Sequence, residues 1–201
     1  MGISFDKDPT LSRALSLTGF VGLPDIVSPQ ILSSIRDAAL TLSMQIGRSD
    51  PDPARLRSGF TSVRWDLIKL LDKDFAALGA TSSLQKAISW LYQSEQECQE
   101  AMMHLMRAGS RAEIAWHKEQ DVCVDPARIS CAVVIYPFAI PEARGVLEIL
   151  PRGQERGTGN ARQIVPTDGF IVLLEPDVLH RVPPVSPTSD RLSIVLRFYR
   201  R

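Results

Sequence analysis

Apolar positions recur at helical spacing through the middle of the chain and at strand spacing towards its end. Leu67, Leu71, Phe75 and Leu78 fall on one helical stripe. Leu84, Ile88, Leu91, Cys98, Met102 and Leu105 fall on a second, interrupted at Glu95. An earlier helix is predicted to start at Ser28-Pro29, a capping serine with proline in the first turn, and to bury Ile31, Ile35, Ala38, Ala39 and Leu42. The stretch from Gly19 to Pro24 reads as a short strand leading into it. After residue 125 the pattern changes to short β-rich runs separated by turn residues. Strands are predicted near Ser130–Tyr136, Val146–Leu150, Arg162–Val165, Gly169–Leu174 and Arg191–Tyr199, with Pro151 to Asn160 as a loop.

Proline placement supports this division. No proline occurs between Ala54 and Asp125, whereas nine of the fourteen fall at Pro126 or later. Helices followed by strands predict an α+β fold, with helices packed on one face of an antiparallel sheet system. The 201 residues suit a single domain, of which about 1–110 is expected to be mainly helical support and about 111–201 the β core.

Composition narrows the function classes. Lys+Arg and Asp+Glu are both 23, and the two signs are balanced in each half of the chain. Neither half is a basic platform, which argues against nucleic acid as a partner. No apolar run approaches the roughly 20 residues of a membrane-spanning helix, and the N-terminal stretch lacks a secretory apolar core, so a cytoplasmic protein is expected. The 3 cysteines, Cys98, Cys123 and Cys131, have no CxxC spacing, so neither a disulfide scaffold nor a zinc knuckle is supported.

Candidate chemistry centres on the 3 histidines. His104 lies among Met102, Met103 and Met106 in the second helical stripe and reads as a surface or interface histidine. His117 and Glu119 are two apart, so in an extended segment both side chains project the same way while Lys118 points elsewhere. A non-haem iron site needs two neutral imidazoles and one carboxylate on one face of the metal. His180, 63 residues beyond His117, can supply the third ligand from another strand. Arg191 and Ser193 share one face of the last strand, where a guanidinium fork and a hydroxyl suit a carboxylate; Leu192, Ile194, Leu196 and Phe198 share the other. An acid two places after some histidine arises by accident in roughly a third of such chains, but an ordered Arg-x-Ser after a later histidine brings the joint chance to about one in a hundred.

With these residues in place, the sequence resembles the Fe(II)/2-oxoglutarate-dependent oxygenases, and most closely their phytanoyl-CoA-dioxygenase-like branch. Gly19 to Leu32 is similar to the opening strand and helix of that branch, Trp116-His117-Lys118-Glu119 to its His-x-acid motif, and Gly145 to Gly153 to its G-x-L-x-x-x-P-G-S-H segment. Gly169 to Arg191 resembles the strand, distal histidine and 2-oxoglutarate arginine, a stretch shared with the prolyl-hydroxylase-like branch. The resemblance implies a double-stranded β-helix, or jelly roll, buttressed by helices. It implies that His117, Glu119 and His180 ligate Fe(II) and that Arg191, helped by Ser193, binds 2-oxoglutarate.

The implied reaction oxidises, by default hydroxylates, a small molecule while O2 is consumed and 2-oxoglutarate is decarboxylated to succinate and CO2. A peptide hydroxylase of prolyl-hydroxylase type and a non-catalytic jelly-roll binding module are the alternatives. The chain departs from the pattern at Glu119, where aspartate is commoner, and at Arg152-Gly153-Gln154, where the branch often has Gly-Ser-His. A carboxylate at position 119 argues against halogenation, which needs that coordination position free. Trp116 and Arg111, and after them Arg64 and Trp65, are candidates for contact with the substrate.

Overall fold

The structure is a computed structural model that describes residues 9–23, 30, 33–34, 36–37, 40–41, 44, 60–64, 82–140, 144–154, 160–186 and 188–201. In chain order the elements are α1 (Pro9–Thr18), β1 (Phe20–Gly22), β2 (Phe60–Arg64), α2 (Ser82–Leu91), β3 (Gln96–Met106) and β4 (Ile114–His117). A 3-10 turn at Glu119–Asp121 follows, then β5 (Ile129–Tyr136), β6 (Leu147–Ile149), β7 (Arg162–Ile164), β8 (Phe170–Leu174), β9 (His180–Val182) and β10 (Arg191–Arg200). A six-stranded sheet in the order β1-β8-β5-β10-β3-β2 faces a four-stranded sheet in the order β4-β9-β6-β7, and neighbouring strands pair antiparallel. This is the double-stranded β-helix of the α+β reading, with helices against the larger sheet.

β10 shows how one strand serves two layers. Leu192, Ile194, Leu196 and Phe198 pack on the helix side with Leu15, Leu84 and Ile88. The alternate position Val195 joins Leu147, Ile149 and Val182 between the sheets. Period-two alternation thus sends one set of side chains to the helices and the other to the space where a site can form.

The strands predicted near residues 130, 146, 162, 169 and 191 are β5, β6, β7, β8 and β10, with ends within two residues of the prediction. The second helical stripe needs correction. The helix ends at Leu91, a turn with positive φ at Gln93 follows, and Gln96–Met106 is a strand. β3 pairs with β10 on one side and β2 on the other. Its Ala101, Met103 and Leu105 pack on the helix side, while Met102 and Met106 pack between the sheets. A strand with apolar side chains on both faces carries no period-two signature, and its spacing mimics a helix. The β core therefore draws on β1, β2 and β3 from before residue 111. Described positions between 30 and 44 are helical, and Arg36 Nε there bonds the Pro137 carbonyl at 2.7 Å. The start and buried face of that helix, the stripe from Leu67 to Leu78, Trp65, and 155–159 of the predicted loop lie outside the described residues; Arg64 closes β2. No described helix is long and apolar enough to cross a membrane.

The junction of α1 and β1 fixes how the N-terminal helix meets the larger sheet. Gly19 ends the helix with φ 78°, its N–H donating to Leu15 O at 2.7 Å. A Cβ at this position would lie 2.2 Å from Cγ2 of the stiff, buried Val178. Gly19→Ala is expected to cost roughly 1–3 kcal/mol for the left-handed backbone alone, with the clash added. Urea unfolding checks this; a midpoint equal to wild type would contradict the tight packing of that turn.

Candidate metal centre

β4 and β9 pair antiparallel with His117 opposite His180, after an irregularity between Ile114 and His117. Directly opposed residues share a face, and the two imidazole centroids lie 4.2 Å apart. The Nδ1 of each ring lies against the carbonyl two residues before it, at 2.9 Å for His117 and Ala115 and 3.0 Å for His180 and Val178. A carbonyl only accepts, so Nδ1 carries the proton and Nε2 presents a lone pair. Glu119 reaches the same point from the 3-10 turn rather than by strand alternation, because β4 ends at His117. The turn is pinned by Gln120 N–H donating to Pro176 O at 3.1 Å.

Glu119 Oε1 lies 3.2 Å from His180 Nε2 and 4.0 Å from His117 Nε2, and the three donor atoms lie within 4.8 Å of one another. Metal–ligand bonds of about 2.1 Å at right angles need donors about 3 Å apart, so small rotations suffice to seat one ion. Two imidazoles and one carboxylate form the donor set that leaves the far side of an iron open. Burial opposes ionisation of Glu119 most strongly, yet its pKa is lowered, with the Arg197 guanidinium, whose Nε donates to Oε2 at 2.7 Å, favouring the carboxylate. Burial, followed by the neighbouring His180, lowers the pKa of His117 and keeps it neutral. Both states are those that bind metal.

The same cavity is lined by Arg191, Ser193 and His104, with Val134 and Val195 among its apolar walls. Arg191 is 3% exposed; Nη1 donates to Ser193 Oγ at 2.9 Å and Nη2 to Tyr136 OH at 3.1 Å. Its Nε is buried without a hydrogen-bond partner, and no carboxylate among the described residues pairs with this cation. An uncompensated buried guanidinium calls for an anion, and a fork flanked by two hydroxyls fits a carboxylate. Nothing in the sequence singles out Tyr136, although it ends a predicted strand. His104 corrects the helical reading: it sits on β3 directly opposite Ser193 and lines the cavity.

Trp116 and Arg111 do not line this cavity. Trp116 carries the half-exposed Arg181 over its ring at 4.9 Å, and Arg181 Nε bonds Glu148 at 2.7 Å. These residues alternate with His117, His180 and Ile149, which places them on the outer face of the small sheet. Arg111 is exposed before β4.

No family model matches the chain, nor does any curated protein sequence. Solved structures do match in shape. AviO1 from Streptomyces viridochromogenes Tue57 superposes with a TM-score of 0.79 at 18% identity, over 98% of this chain and 96% of that one. The non-haem α-ketoglutarate-dependent carbocyclase SnoK from nogalamycin biosynthesis gives 0.78 at 11% identity, over 97% and 85%. EctD from S. alaskensis, solved with 2-oxoglutarate and 5-hydroxyectoine, gives 0.75 at 17% identity, over 100% and 78%. The fold is that of non-haem Fe(II)/2-oxoglutarate oxygenases.

His104 gives the cavity a measurable pH signature. Desolvation and then Arg191 push its pKa from 6.5 down to about 3; Arg197 and His117 act the same way and Glu119 opposes them. Below 6.5 the unfolded chain takes up a proton here that the folded chain refuses until about 3, so stability is lost as pH falls through that window. His104→Gln is expected to flatten this limb in urea-midpoint measurements on metal-free protein between pH 7 and 4. A slope as steep as wild type would contradict the neutral, desolvated placement.

Proposed function

We propose that this protein is a non-haem Fe(II)/2-oxoglutarate-dependent oxygenase that oxidises, in the simplest case hydroxylates, a small molecule. The observation that carries this reading is a buried Arg191, paired with no carboxylate among the described residues, in the same cavity as a His117, Glu119 and His180 donor set. The donors fit Fe(II), and the guanidinium with its two hydroxyls fits the remote carboxylate of 2-oxoglutarate. When bound, iron and 2-oxoglutarate supply the oxidation, with O2 consumed and succinate and CO2 released.

The chain's own residues do the rest. His117 and His180 offer Nε2 because their Nδ1 protons are held by backbone carbonyls. Glu119 stays ionised at any neutral pH. Arg191, Ser193 and Tyr136 orient the co-substrate, and the apolar walls keep water from the reacting centre. Small-molecule oxidation is supported by the neighbours SnoK, from nogalamycin biosynthesis, and EctD, solved with 5-hydroxyectoine. The motifs at Trp116–Glu119 and Gly145–Gly153 favour the phytanoyl-CoA-dioxygenase-like branch.

Anaerobic addition of Fe(II) and then 2-oxoglutarate to metal-free protein should develop the weak visible charge-transfer band of the chelate. His180→Ala should abolish it, and Arg191→Gln should raise the 2-oxoglutarate concentration needed by about tenfold or more. Folded wild type that shows no band with excess iron would contradict the assignment.

A further inference from the structure

Glu119 has two carboxylate oxygens, and only Oε1 faces the imidazoles. Oε2 accepts a 2.7 Å hydrogen bond from Arg197 Nε. Arg197 is in turn fixed by its neighbours: Nη1 donates to Glu100 Oε2 at 2.8 Å and to Val122 O at 3.4 Å. Val122 is the residue that closes the turn begun by Glu119, its N–H returning to Glu119 O at 3.1 Å. The arginine therefore grips both the carboxylate and the backbone segment that carries it. Glu100 is held on its other oxygen by Val124 N–H at 3.0 Å and by the Tyr199 hydroxyl. Arg197 and Glu119 are 5% and 3% exposed, so this is a desolvated, fixed pair rather than a surface contact.

From this geometry we infer that Arg197 is a positioning residue that makes Glu119 a one-oxygen metal ligand, with Glu100 and Tyr199 holding Arg197 in register. The inference rests on the metal site proposed above. A glutamate has one more torsion than the aspartate commoner in the motif, and a free carboxylate can swing away or chelate an ion through both oxygens. Two-oxygen chelation would take a coordination position that co-substrate or O2 needs. Tying Oε2 to a guanidinium N–H removes both options. A cation beside a ligand ordinarily repels the metal, but Glu100 offsets it. Glu119, Arg197 and Glu100 together carry the single negative charge of a lone carboxylate, so the clamp adds geometry without adding positive charge.

Arg197→Gln and Arg197→Lys test this, with Fe(II) affinity measured by anaerobic calorimetry and the visible band recorded after 2-oxoglutarate. Arg197→Gln is expected to weaken Fe(II) binding by about tenfold or more and to shift or lose the band, with circular dichroism unchanged. Arg197→Lys, which keeps the charge but has one donor group, should recover part of both. Arg181→Gln, which breaks an ion pair on the outer face of the small sheet, should leave both as in wild type. Wild-type affinity and an unshifted band in Arg197→Gln overturn the inference. If that variant does not fold, the same unchanged result in Arg197→Lys and Glu100→Gln overturns it. Folded wild type that binds no Fe(II) fails in a different way and overturns the metal reading beneath it.

Discussion

The pairing of β4 with β9 is the constraint on which the site depends. It sets His117 opposite His180, although 63 residues separate them in the chain. Both strands are short, and β9 gains its order from β6, where Ile149 pairs with His180. A slip of β4 by one residue would turn His117 away from His180 to the outer face, where Trp116 and Arg181 now stack. The carbonyls of Ala115 and Val178 then fix which ring nitrogen is free. Donor identity, tautomer and direction all follow from one register.

The larger sheet completes the arrangement through β10. Its inner face carries Arg191, Ser193, Val195 and Arg197, and its outer face is an apolar seat for the helices. The same strand thus holds Arg191 near one end and the partner of Glu119 further along. The two arginines differ in the way that matters. Arg197 is compensated by Glu119 and Glu100, whereas among the described residues Arg191 bonds only neutral groups. A buried cation of the first kind is already paired, and one of the second kind suits an anionic ligand.

Much of this was legible in the sequence because it rests on local periodicity. The His-x-Glu spacing, His180 after an apolar strand and the alternating faces of Arg191 to Phe198 need only neighbours along the chain. What escaped needs partners across the sheet. From Ala101 to Met106 β3 carries apolar side chains on both faces, which hides its period and the place of His104. Arg197 lies on the same face as Arg191 and Ser193 and was visible in principle, but its meaning depends on Glu100, which pairs with it across β3 and β10. Tyr136 ends a predicted strand, yet nothing local shows that its hydroxyl meets Arg191. Proximity to His117 suggests Trp116 for contact with the substrate, but strand alternation sends it outward. Glu119 reached the expected place by a 3-10 turn rather than by the assumed extension.

Whether one cavity takes both iron and 2-oxoglutarate decides the proposed function. The direct measurement is a crystal structure of protein loaded anaerobically with Fe(II) and 2-oxoglutarate. It should show iron on His117 Nε2, His180 Nε2 and Glu119 Oε1, with the remote carboxylate of 2-oxoglutarate on Arg191 beside Ser193 and Tyr136. Iron held by other residues, or 2-oxoglutarate bound elsewhere with Arg191 still unpaired, would contradict it.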